Sequence, residues 1–190
     1  CAFCAIPSIR GPMISRPLEA IVAEARRLAE GGVRELVLVA QDTSQYGSDL
    51  YGAPRLAELL RALARIDGVE WIRPLYYYPT NVDDALIAAT AEEEKVCSYM
   101  DIPLQHVARS VLRRMHRPGD SDAYLKLIER IRQACPEIAL RTTFLVGFPG
   151  ETDAEFEELL QFVQEARFDR MGAFTFSPEE GTARLLDKLE

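Results

Sequence analysis

The chain begins with two cysteines three positions apart, Cys1 and Cys4, in the stretch CAFCAIPSIRG. That spacing lets two thiolates grip one metal ion or cluster. The pair reads equally as half a zinc site, a redox pair or two buried thiols. Zinc asks for a second ligand pair at close spacing. Cys97 and Cys135 stand alone, with no histidine close in sequence, and read as core thiols. The other residues able to bind or react fall in short stretches. These are Gln41-Asp42-Thr43-Ser44, Asp101 with Gln105 and His106, Arg141-Thr142-Thr143, Gly147-Phe148-Pro149-Gly150-Glu151, and Phe174-Phe176-Ser177. Each has a plain structural reading too: a capped loop, a surface histidine, a β-branched strand, a strand-to-helix turn with Glu151 near a helix start, and core aromatics.

The elements around these stretches alternate. A helix is expected over 17–30, with Ser15 as cap and Ile21, Ala25 and Leu28 on one face. The run ELVLVA (35–40) predicts a strand buried on both faces. Then follow a helix over 55–65, a strand over 71–78, a helix over 83–94 and a strand over 99–103. A short helix over 107–115 precedes a longer one, capped by Ser121 or Asp122 and running to 134. A strand over 139–146, a helix over 152–166 and a strand over 170–176 complete the pattern. The 152–166 helix should turn Phe156, Leu159, Leu160 and Val163 inward, leaving the acidic run 155–158 wet. Strand-helix alternation implies a parallel sheet with crossovers, closed as a barrel or doubly wound. In both, the site lies at the C-terminal strand ends, where the polar and glycine-rich stretches fall.

Composition sets outer bounds. With 48% hydrophobic and 27% charged residues, 190 residues can build one sizeable core. A net charge of −8 argues against a generic nucleic-acid surface. Arg10, Arg16, Arg73, Arg113, Arg114 and Arg117 are scattered and read as solvated or acid-paired. No apolar run approaches about 20 residues, so no membrane span is expected. No secretory segment is read in the sequence, and from the cysteine usage a reducing, cytoplasmic setting is expected.

CAFCAIPSIRG, followed by a helix and a strand, resembles the latter part of the radical S-adenosylmethionine motif C-x-x-x-C-x-x-C. Further along, RGPMISRP, QDTSQYG, YMDIPLQH, MHRPG, RTTFLVGFPGE and FTFSPEEGT resemble the methylthiotransferase family of that superfamily. QDTSQYG and DIPLQH look most like the branch acting on ribosomal protein S-twelve, the RimO group. The resemblance implies a partial (β/α)6 TIM-like barrel of the radical SAM type, lacking its first strand. It implies that residues 1–190 are a core domain, without the family's N-terminal auxiliary-cluster domain and C-terminal β-rich substrate domain. It makes Cys1 and Cys4 ligands of a 4Fe-4S cluster whose open iron binds S-adenosylmethionine. A third ligand is expected four residues before Cys1, so the chain alone should fold but not complete its cluster. Gln41, Thr43, Gln105, Arg141, Thr143, Gly147, Phe148 and Phe174 become cofactor-binding candidates. The implied reaction adds a methylthio group to the β-carbon of an aspartate in ribosomal protein S-twelve. A second 4Fe-4S cluster in the absent domain and an electron donor such as flavodoxin or ferredoxin are implied with it. The alternatives are methylthiolation of a tRNA adenosine, as in MiaB-like enzymes, a non-catalytic zinc-binding barrel module, and an ordinary barrel enzyme with phosphate sites. The last lacks a phosphate-cradling glycine motif with a lysine.

Overall fold

A computed structural model of the chain describes residues 2–179 and Thr182. In order, the elements are α1 (Ile6–Arg10), α2 (Leu18–Glu30), β1 (Glu35–Leu38), α3 (Ser48–Tyr51), α4 (Leu56–Ala64), β2 (Trp71–Pro74), α5 (Asp84–Glu92), β3 (Tyr99–Asp101), α6 (Arg109–Arg114), α7 (Ser121–Ala134), β4 (Ala139–Val146), α8 (Asp153–Ala166) and β5 (Arg170–Thr175). The expected alternation is present, and β1–β2 and β3–β4 pair in parallel. No described helix is long and apolar enough to cross a membrane.

The chain divides into two compact units. One comprises the described parts of Cys1–Met13, Leu104–Ile128 and Thr142–Glu190; the other is Ile14–Pro103 with Glu129–Arg141. We call these the cysteine unit and the sheet unit.

In the sheet unit, α4 carries Leu56, Leu59, Leu60, Leu63 and Ala64, the spacing of one helical stripe. All five are buried, and α4 packs on α2 and α5. Asp83 caps α5 by accepting the Leu86 N–H at 2.8 Å. Ile72 of β2 bridges in parallel to Val96, so the strands lie side by side in chain order.

The cysteine unit is built on Ala108, Val111, Met115 and Phe148, with Phe3, Leu145 and Phe176 packed against them. Helix α8 opens with a capping box in which Thr152 and Glu155 exchange hydrogen bonds. Strand β5 lies beside the end of β4, where the Phe176 N–H donates to the Val146 carbonyl.

Several expectations need correction. Strand β1 is not covered on both faces: Val37 and Val39 are 49% and 65% exposed, because the helices cover only the face that carries Leu36. Strand β5 is also largely exposed. The Ser15 hydroxyl does not cap α2; it accepts the Gly47 N–H, and the helix starts directly after Pro17. Asp120, rather than Ser121 or Asp122, receives the Ala123 N–H at the start of α7. Leu28 is exposed, and α2 buries the smaller Ala25 and Ala29. On α8 the buried line is Leu159, Phe162 and Ala166, while Phe156 and Leu160 face outward. The acidic run is not simply wet, since Glu155 and Glu158 accept bonds from Ser110 and Ser121. Arg117 is buried rather than solvated.

Candidate functional site

Cys1 lies outside the described residues, so the site is built from Cys4. Its segment is held by backbone and rings. The Ala2 N–H donates to the Met115 carbonyl at 2.9 Å, tying the segment to the end of α6. The Phe3 ring meets Phe148 edge-on at 5.9 Å, and Phe148 meets Phe176 at 5.1 Å. Phe3, Met115, Phe148 and Phe176, which come from four stretches distant in sequence, therefore share one small core.

Cys4 is a free, partly exposed thiol. Burial pushes the Cys97 and Cys135 thiols up, which keeps them protonated, and Cys135 also contacts Glu137. Cys4 and Cys97 are both partly exposed soft donors, the type that iron-sulfur clusters and zinc select, with the Cys97 thiol pushed up by burial. No group of three or more His, Cys, Asp or Glu that could hold a metal occurs among the described residues. A partly exposed thiol at Cys4 is a donor of the kind an iron-sulfur cluster or a zinc ion takes.

The remaining candidates divide by unit. In the cysteine unit, Gln105 is left-handed at φ 71°. Its N–H donates to the Thr143 carbonyl and its carbonyl accepts the Leu145 N–H, so it is stitched to β4 on both sides. A non-glycine residue held this way is an outlier of the kind found at functional positions. Thr143 is partly exposed, whereas Thr142 is buried and accepts the Leu104 N–H. Gly147 is exposed at φ 70°, and a Cβ there would project into open space. The Phe148 ring is fully buried, so it supports this turn from below. Phe174 is 62% exposed. His106 is completely buried beside Glu151, and burial keeps its pKa lowered against the pull of that carboxylate.

In the sheet unit, Gln41 is exposed after β1, but the rest of its loop is tied down. The Asp42 carboxylate accepts the Ser44 N–H, the Ser44 hydroxyl and the Asn81 amide. The Thr43 hydroxyl and N–H both donate into the Leu75–Tyr76 backbone. Tyr76, which they hold, is left-handed at φ 63° and 41% exposed; sequence reasoning passed over it, and a run of three tyrosines before Pro79 was the available signal. Asp101, in parallel register with Arg141, accepts two bonds from that residue's Nη1, at 2.9 and 2.8 Å. Burial raises its carboxyl pKa despite that partner.

Comparison with known proteins bears on both units. The Radical SAM superfamily model matches residues 1–163. The "Ribosomal protein uS12 methylthiotransferase RimO" of Moorella thermoacetica is 59% identical over 182 residues, which is 96% of this chain and 42% of that protein. The protein of the same name from Symbiobacterium thermophilum is 54% identical over 96% of this chain and 38% of its own length. The chain therefore spans about two-fifths of the length of the curated relatives it matches. Two solved structures share the fold. The radical S-adenosylmethionine methyltransferase TsrM from Kitasatospora setae, with cobalamin and a [4Fe-4S] cluster bound, gives a TM-score of 0.66 at 16% identity, over 84% of this chain and 31% of that one. Methylornithine synthase PylB gives 0.63 at 18% identity, over 96% of this chain and 51% of that one.

Proposed function

The chain belongs to the radical SAM superfamily, and from that premise we propose that it is the core of a methylthiotransferase placing a methylthio group on the β-carbon of an aspartate in ribosomal protein S-twelve. The observation that carries this reading is the core shared by Phe3, Met115, Phe148 and Phe176, one from each of four motif stretches. It holds a free thiol on the same scaffold as an open glycine turn.

In this reading Cys1 and Cys4 are two thiolate ligands of a 4Fe-4S cluster that also binds S-adenosylmethionine. When bound, the cluster supplies the electron that cleaves the cofactor's sulfonium. The chain's own residues bind and orient. Gly147 would offer bare backbone to the adenine, stiffened by the buried Phe148, and Phe174 would present an exposed ring. Gln105 and Thr143 supply polar groups to the ribose. Gln41 meets the methionyl end, and Thr43 acts through the backbone it fixes. Arg141, braced by Asp101, takes the cofactor's carboxylate. Residues 1–190 form the radical core of a larger cytoplasmic enzyme. An auxiliary-cluster domain holding a second 4Fe-4S cluster precedes them, and a β-rich substrate domain follows. Flavodoxin or ferredoxin donates the electron, and the substrate protein is met alone or on the ribosome.

The test uses the full-length protein, loaded anaerobically with iron and sulfide. Incubated with S-twelve and with tRNA in parallel, it is expected to add a methylthio mass to S-twelve alone. Cys4→Ser is expected to lose the cluster's visible absorption. Modification of tRNA only, or undiminished absorption in the variant, would overturn the reading.

A further inference from the structure

We infer that His106 and Glu151 form a positioning pair, the imidazole Nε2–H holding the Glu151 carboxylate so that it fixes the turn Gly147–Gly150. A histidine with no exposure needs a reason, because burying its polar atoms without partners is costly. One bond and one close approach supply it. Nδ1 accepts the Ala108 N–H at 3.1 Å, so the proton of the neutral ring sits on Nε2. That nitrogen lies 3.4 Å from Glu151 Oε1, just outside hydrogen-bond geometry, and has no other partner among the described residues; the Glu151 side chain is only 6% exposed, so a small approach of the two closes the bond. The other carboxylate oxygen accepts the Phe148 N–H at 3.0 Å, while the Glu151 N–H donates to the Phe148 carbonyl at 2.8 Å. Residues 148 and 151 thus close the turn reciprocally, and Gly147 and Gly150 take the left-handed angles it needs. One position before His106, Gln105 is bonded to β4, the strand that runs into this same turn. The turn is therefore fixed from its strand and from its carboxylate, both through residues 105 and 106.

The consequence for catalysis rests on the reading of Gly147 as an adenine contact; the pair itself does not. Two substitutions separate them. An asparagine amide reaches the Nδ1 position and can keep the Ala108 bond, whereas a glutamine amide reaches the Nε2 position and can keep the donor to Glu151. Hydrogen exchange at the Phe148 amide, followed in the 190-residue chain, is expected to speed up about tenfold in His106→Asn and to stay within about twofold in His106→Gln. Calorimetry of the cluster-loaded full-length protein with S-adenosylhomocysteine is expected to show about tenfold weaker binding for His106→Asn only. Equal exchange in the two variants would overturn the pair. Exchange that separates them while affinity does not would uphold the pair and overturn the adenine reading of Gly147.

Discussion

The loop after β1 and the turn after β4 are both short motif stretches at strand ends, yet they use their chemistry in opposite ways. In Asp42–Ser44 the polar side chains point back into the protein: Asp42 bonds to Ser44 and Asn81, and Thr43 and Ser44 bond to the backbone of residues 75–78. Around Gly147 the side chains that matter lie beneath, and bare backbone is what reaches the surface. Polar residues in a motif thus need not touch a ligand, and apolar ones can be what shapes its seat. Three changes would break or sharpen this contrast.

The largest effect falls on the support of the turn. Phe148→Ala removes a fully buried ring that meets Phe3 and Phe176, and should destabilise the chain by about 3–5 kcal/mol in urea unfolding. A loss under about 1 kcal/mol would mean that the ring is not core, and the contrast fails.

Next comes the loop after β1. Asp42→Ala leaves the Ser44 N–H and the Asn81 amide without their carboxylate, for an expected loss of about 1–3 kcal/mol. If the loop is only a brace, cofactor affinity should fall no further than that instability explains. A large selective loss of affinity would make Asp42 a contact residue.

The smallest effect appears on acidification, in two separate windows. The pKa of His106 is lowered below 6.5, so the unfolded chain takes up its proton first. Stability is therefore complete above about pH 6.5 and declines as pH falls toward the folded-state pKa. Glu155 is held down to about 2 by bonds from Ser110, Thr152 and Arg114. Its contribution is complete above about pH 4.5 and is lost as pH falls toward about 2. Urea midpoints measured against pH should show both declines, and Glu155→Gln should remove only the lower one.

Much of the frame was legible in the sequence because hydrophobic periodicity reports local structure. Strand β4 was read at Ala139–Val146, as it stands, where apolar and β-branched residues dominate around Arg141. The choice of buried face was harder. Phe156 and Leu160 share α8's spacing with Leu159 and Phe162, and only the packing partners, Phe144 and Phe168, decide which pair turns inward. The run ELVLVA looks the same whether one face or two are covered. The partners of Thr43, His106 and Asp101 lie 32, 45 and 40 positions away, beyond what local pattern reaches. What the motifs did mark was the set of stretches; which atoms each one offers came from tertiary bonds.

The contact between Ala2 and Met115 uses only main-chain atoms, so it is indifferent to which side chains flank it. The segment leading into Cys4 is thereby set in place by the fold itself. Were Cys4 to bind a cluster, as proposed, capture would begin from a held ligand rather than a wandering tail, with less freedom to give up. A lesion in the backbone of α6's last turn would then surface as slow iron uptake rather than as a failed fold.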